Sequence, residues 1–216
     1  CFGGNPGGGL NEEYDGTSWT ERGDLNTPRN QLCGVGTSTA ALAYGGQTTP
    51  SGLDVTEEYN GTSWSEQNNL NTARYGFSGA GLQTSALAFG GVQSPPTISN
   101  DTEEYNGTSW TAVNDMTQPA FNHGGSGAQT AALLFGGQTG TSTSGAKTSA
   151  TFGYDGTNWS TRPSMATTRS QISGSSGTSN ISAAAFGGTI PPYSTATEEF
   201  TSATSVAGPA SNITTS

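Results

Sequence analysis

Three arginines stand at equal distances behind three tryptophans: Arg29, Arg74 and Arg169 each follow Trp19, Trp64 and Trp159 by ten residues. Acidic pairs recur downstream of them, at Glu57-Glu58, Glu103-Glu104 and Glu198-Glu199. Paired carboxylates are the equipment of a glycosidase or of a calcium site. Adjacent strand residues, however, point to opposite faces, and regular repetition suits a scaffold better than a single active site. The remaining chemistry is sparse. The one histidine, His123, lies in Phe121-Asn122-His123-Gly124-Gly125, where an inner-strand packing role is expected. Cys1 and Cys33 are too few for a disulfide framework and are read as free thiols. Metal binding needs clustered His, Cys or carboxylates, and no double glycine is followed by the Lys-Ser/Thr of a phosphate loop. The residues therefore predict no catalytic site, no metal and no cofactor, hence a protein that is not an enzyme.

What positions these side chains is a repeat. An aromatic followed by two glycines occurs at Phe2-Gly3-Gly4, Tyr44-Gly45-Gly46, Phe89-Gly90-Gly91, Phe135-Gly136-Gly137 and Phe186-Gly187-Gly188, with first-glycine spacings of 42, 45, 46 and 51. Trp19, Trp64, Trp110 and Trp159 share that period, each five residues after a tyrosine. Two strands of small and apolar residues lead to each double glycine, as in Leu32 to Gly36 and Ala40 to Tyr44. A variable loop follows, then a third strand, Thr56-Glu57-Glu58-Tyr59. Asn60-Gly61 next predicts a tight type I′ hairpin, as do Asp15-Gly16, Asn106-Gly107 and Asp155-Gly156, and a fourth strand starts near Trp64. Four short antiparallel strands per unit, without helical periodicity, describe one blade of an all-β propeller. A lone blade cannot bury both its faces, so the units stack around an axis.

These residues resemble the kelch family, whose repeat carries a double glycine, a spaced Tyr and Trp, and an Arg before the next blade. The kelch-like strand order implies that Arg29 belongs with Glu57 and Glu58, Arg74 with Glu103 and Glu104, and Arg169 with Glu198 and Glu199. One unit departs: Ala120 replaces the arginine, and Phe152-Gly153 stands in place of its glutamates. Joint loss implies an ion pair inside each blade, since removing one partner would strand a charge. The expected architecture is a kelch-like β-propeller of five four-stranded antiparallel blades over residues 1–200, the first incomplete at its N-terminus. Residues 201–216 form a Ser/Thr/Ala-rich strand or tail that would close the ring.

Six Lys and Arg against sixteen Asp and Glu give a net charge of −10, which repels phosphate backbones and anionic membranes and argues against nucleic acid. No apolar run reaches membrane-spanning length. Recognition is expected where the repeats differ, in the loops after each double glycine; the candidate ligand residues there are Gln47, Asp54, Gln93, Asn100, Gln138, Lys147 and Tyr193. Leu70 to Tyr75, Gln83 to Gly91 and Glu57 to Trp64 resemble kelch-type repeats in structural and tail-fibre proteins of marine bacteriophages. That resemblance implies a virion or extracellular location, with bacterial surface polysaccharide or other virion proteins as candidate partners; a homo-oligomer is a further candidate. The alternatives are a carbohydrate- or protein-binding propeller of cellular origin and, last, a glycan-active enzyme.

Overall fold

Small residues converge where strands crowd, and Asn-Gly or Asp-Gly reverses the chain between them. A computed structural model describes residues 1–4, 8–93, 96–139, 145–175, 177, 179–189 and 193–202; the expected closing tail lies, from residue 203, outside them. Every regular element among the described residues is a strand, and the sheets are arranged as a β-propeller. The first blade pairs Cys33–Thr37, Ala40–Tyr44, Thr56–Tyr59 and Trp64–Gln67 in that order, all antiparallel. Ser78–Leu82, Ser85–Phe89, Thr102–Tyr105 and Trp110–Val113 repeat the pattern in the second. The third comprises Gly124–Ala128, Ala131–Phe135, Thr151–Tyr154 and Trp159–Arg162.

The fourth blade has three strands, Ser173–Gly174, Ser182–Phe186 and Thr197–Thr201. Four of the five repeat units thus form blades. The N-terminal unit, expected as an incomplete blade, forms a two-stranded hairpin of Glu12–Tyr14 and Trp19–Glu21, with the bridge Phe2–Asn11 marking its second-strand position.

The inner strands of the four blades lie side by side and line an axial channel with Gly34, Gly79, Gly125 and Gly174. A side chain at Gly79 would collide with the Tyr44 hydroxyl of the preceding blade, so glycine here permits close approach. Outward from the axis, aromatic pairs fill the space between blades. Trp110 packs on Tyr44 of the first blade with ring centroids 4.9 Å apart, and Trp159 on Phe89 of the second at 5.0 Å. Each such ring buries enough apolar surface to contribute roughly 1.5–3 kcal/mol, and this holds neighbouring blades together.

The turns differ from the type I′ expectation. Asn60 Oδ1 accepts hydrogen bonds from the Thr62 and Ser63 amides at 3.0 Å each, and Gly61 alone, with φ of 93°, is left-handed. The side-chain acceptor stabilises a four-residue loop that competes with the tighter turn. Asp15, Asn106 and Asp155 make the same bonds, and these amides hold the Asp15 and Asp155 carboxyls below the usual aspartate range.

Candidate functional site at the axial face

Each blade is approached through a connector whose last residue is bridged to the loop after the double glycine: Asn30 to Gln47, Tyr75 to Val92, Phe121 to Gln138 and Ser170 to Thr189. The variable loops and the connectors therefore share one face of the disc. The next residue turns the chain into the inner strand by a left-handed conformation, with φ of 52° at Gln31, 62° at Gly76, 52° at Asn122 and 55° at Gln171. Their backbones form a relay around the axis. The Gly76 amide donates to the Gln31 carbonyl at 3.0 Å, Asn122 to Gly76 at 2.8 Å and Gln171 to Asn122 at 2.7 Å. These four residues, with Leu32, Phe77, His123 and Ile172, line a shallow depression of about 270 Å³.

The ion pairs are the foundation of this face. Arg29 meets Glu57 at 2.5 Å, Arg74 meets Glu103 at 2.7 Å and Arg169 meets Glu198 at 2.9 Å. In the first two both side chains are excluded from water; Glu198 is partly exposed. Arg74 also donates to the carbonyls of Gly90 and Asp101, the two stems of one loop, and Arg169 does the same at Gly187 and Ala196. The carboxylates accept backbone amides of the connector, Glu57 from Asn26 and Thr27, Glu103 from Asn71, and Glu198 from Ala166. The Arg74 and Arg169 pairs thus tie a connector to its loop, whereas Arg29 donates to the carbonyls of Thr27 and of Ala43 in the strand before the double glycine.

The second glutamate of each run points the other way. Glu58 accepts the Tyr105 hydroxyl at 3.0 Å and Glu104 the Tyr154 hydroxyl at 2.9 Å, both from the next blade. Burial and the neighbouring carboxylate push those two phenols up. Glu199 is exposed. In the third blade Ala120 and Phe152 sit in one apolar cluster with Met116 and Leu134.

Of the loop residues singled out from the sequence, Gln47 reaches the depression, donating from Nε2 to Gln31 Oε1 at 3.1 Å. Others are spent on the protein itself. Asp54 accepts from Asn69, Gln93 donates to Ser99 and Asp101, Asn100 donates to the Met116 carbonyl, Gln138 to Gly145, and the Lys147 ammonium to the Thr189 carbonyl at 2.8 Å. The Tyr193 side chain is 83% exposed, and the residue forms a β-bridge with Thr189. Sequence reasoning missed Gln31, Asn122 and Gln171; Gly76 at the equivalent position was the available signal.

Reactive groups are muted. Burial pushes the Cys33 thiol up to about 11, so it is not a thiolate at neutral pH. His123 stacks on Phe89 at 5.4 Å, its Nε2 has no hydrogen-bond partner among the described residues, and burial lowers it to about 4. Among the described residues no three His, Cys, Asp or Glu side chains cluster as metal ligands would.

No protein-family model matches the chain, and no curated protein matches it significantly. Known structures do match. One, described as the structure of YjhT, superposes with a TM-score of 0.69 at 14% identity, covering 86% of this chain and 68% of that one. The shared feature is the β-propeller fold.

Proposed function

We propose that the chain is a non-enzymatic structural and adhesion module, a domain of a phage virion appendage that contacts host-surface glycans. The observation that carries the contact is the axial face, where Gln31, Asn122 and Gln171 stand around one shallow depression beside variable loops. Amide side chains both donate and accept hydrogen bonds, the chemistry that matches sugar hydroxyls, and exposed Tyr193 offers a ring on which a sugar can stack. The kelch-like wording of the repeats and their likeness to tail-fibre proteins supply the virion context. An acidic surface fits as well. Arg29, Arg74 and Arg169 are consumed internally, leaving Arg22, Lys147 and Arg162 as the remaining cations, so neutral polysaccharide is favoured over anionic polymers.

The test is binding of the labelled chain to a panel of bacterial surface polysaccharides, with release of reducing ends followed in the same wells. Selective binding without release, weakened in Asn122→Ala and Gln31→Ala, is the expected outcome. Release of reducing ends would overturn the non-enzymatic reading. Absence of binding would favour a purely architectural virion part, a reading supported by the internal hydrogen bonds of Gln93, Asn100 and Lys147.

A further inference from the structure

The hairpin turns that follow Tyr14, Tyr59, Tyr105 and Tyr154 share one construction and differ in one functional group. Asp15 and Asp155 open two of them with a carboxylate, Asn60 and Asn106 open the others with a carboxamide, and glycine follows each. In all four, the side-chain Oδ1 accepts the amides two and three residues further on, at 2.7 to 3.0 Å. The glycine is left-handed throughout, with φ between 88° and 98°.

Asn-Gly occurs at these two places alone in the chain, and a glycine amide is the least shielded nucleophile that an asparagine side chain can meet. The turns also hold the parts of that reaction in place. The Gly61 and Gly107 amides make no hydrogen bond among the described residues. The electrophile is the asparagine Cγ, whose Oδ1 already receives two N–H groups, from Thr62 and Ser63 at 3.0 Å and from Thr108 and Ser109 at 2.9 Å. Paired donors on the oxygen that gathers negative charge are the arrangement of an oxyanion hole. The departing Nδ2 donates to no described residue, and both asparagines are exposed. Asn11, Asn26, Asn71, Asn100, Asn114 and Asn180, in contrast, each donate Nδ2 to a backbone carbonyl.

We propose that Asn60 and Asn106 are sites of self-deamidation in the folded protein. The Gly61 nitrogen loses its proton to solvent and bonds to Asn60 Cγ, the Cγ–Nδ2 bond breaks, and ammonia leaves. Water then opens the resulting succinimide, at one carbonyl to give aspartate and at the other to give isoaspartate. Gly107 and Asn106 react in the same way. Aspartate is a product that the fold accepts, since Asp15 and Asp155 already make this turn and the same amides hold their carboxyls below the usual aspartate range. Gly61 lies against Thr39 and Gly107 against Thr84, in the turns between first and second strands. The new charges therefore appear on the face opposite the axial depression.

Peptide mapping by mass spectrometry tests this on the 216-residue chain, held at mildly alkaline pH either folded or in urea. Acid forms should accumulate at Asn60 and Asn106 ahead of every other asparagine. At these two positions the folded chain should convert roughly tenfold faster than the unfolded one, the gain that one hydrogen bond to a developing charge supplies. Asp155→Asn, which places an asparagine in the same frame of donors, should return to aspartate at a comparable rate. The product reference, Asn60→Asp with Asn106→Asp, should unfold at the wild-type urea midpoint. Conversion that is equal or slower in the folded chain, an Asp155→Asn variant that keeps its amide, or a destabilised double variant would each overturn the proposal.

Discussion

The second and third blades solve the same packing problem with opposite chemistry. Where the second has Arg74, Glu103 and, across the strand pair, Ala88 opposite Glu103, the third has Ala120, Phe152 and Leu134 opposite Phe152. The first and fourth blades side with the second, placing Ala43 opposite Glu57 and Ala185 opposite Glu198. The exchange involves three residues, because a small alanine leaves room for the ion pair while leucine and phenylalanine fill the same region without it. At the first inner-strand turn the preference reverses: Leu32, Phe77 and Ile172 are apolar, and the third blade has His123. One backbone thus accepts either a charged or an apolar clasp, provided the whole set changes together.

Breaking one member should cost most. Glu103→Ala leaves Arg74 buried with its guanidinium unneutralised, and roughly 3–5 kcal/mol of stability should be lost in urea unfolding. Because Arg74 also holds the carbonyls at both stems of a loop, the loss should be accompanied by faster amide exchange at Gly90 and Asp101. A loss below about 1 kcal/mol would show that water reaches the pair and that the two blades differ less than their packing suggests.

The fold was legible because every marker of the repeat has a separate physical cause: glycines for close approach at the axis, tryptophans for the space between blades, Asn-Gly or Asp-Gly for reversal. The arginine and the glutamates disappear together at Ala120 and Phe152, which pointed to a partnership; which glutamate faces the arginine was not readable, since that depends on strand facing. Leu134 escaped notice because its role depends on cross-strand register, and spacing along one chain does not encode register. Gln31, Asn122 and Gln171 were hidden for another reason. A left-handed non-glycine residue leaves no mark in composition, so the axial ring emerges only when four connectors are seen side by side. The hairpin turns were misread because side-chain hydrogen bonds of Asn60 and its equivalents favour the longer loop.

His123 sharpens the comparison through pH. Its folded value of about 4 lies below the usual 6.5, so the fold holds the neutral imidazole while the unfolded chain takes up a proton first. The contribution is intact above pH 6.5 and is lost as pH falls from 6.5 toward 4, reaching roughly 3 kcal/mol at most. His123→Phe, which copies Phe77 of the second blade, should remove that component. The measurement is the difference in unfolding free energy between wild type and variant at pH 7 and pH 4.5; an equal difference at both would mean that protonation of His123 is not linked to folding.

A smaller effect is expected where the two blades touch. Tyr154→Phe removes one hydroxyl from a partly buried contact with Glu104, and about 1 kcal/mol should be lost. Pairing it with Glu104→Gln in a double-mutant cycle separates the hydrogen bond from the cost of leaving Glu104 unpartnered. Independent, additive losses would assign the cohesion between these blades to their aromatic packing alone.

The smallest net change should come from the largest substitution. Converting the second blade to the third blade's set, with Arg74→Ala, Glu103→Phe and Ala88→Leu together, removes both charges at once and supplies apolar volume in their place. Replacement of a buried ion pair by packed hydrophobes is often neutral or stabilising, so the triple variant should stay within about 1 kcal/mol of wild type even though Glu103→Phe alone strands Arg74. The route matters as much as the end point. Omitting Ala88→Leu leaves a void beside the new phenylalanine, and the double variant should fall below the triple by roughly 2 kcal/mol, the order of a buried leucine-to-alanine cavity. If the triple is as unstable as the single, the arginine's bonds to Gly90 and Asp101 are what the second blade requires, and the third blade holds its own loop stems by other means.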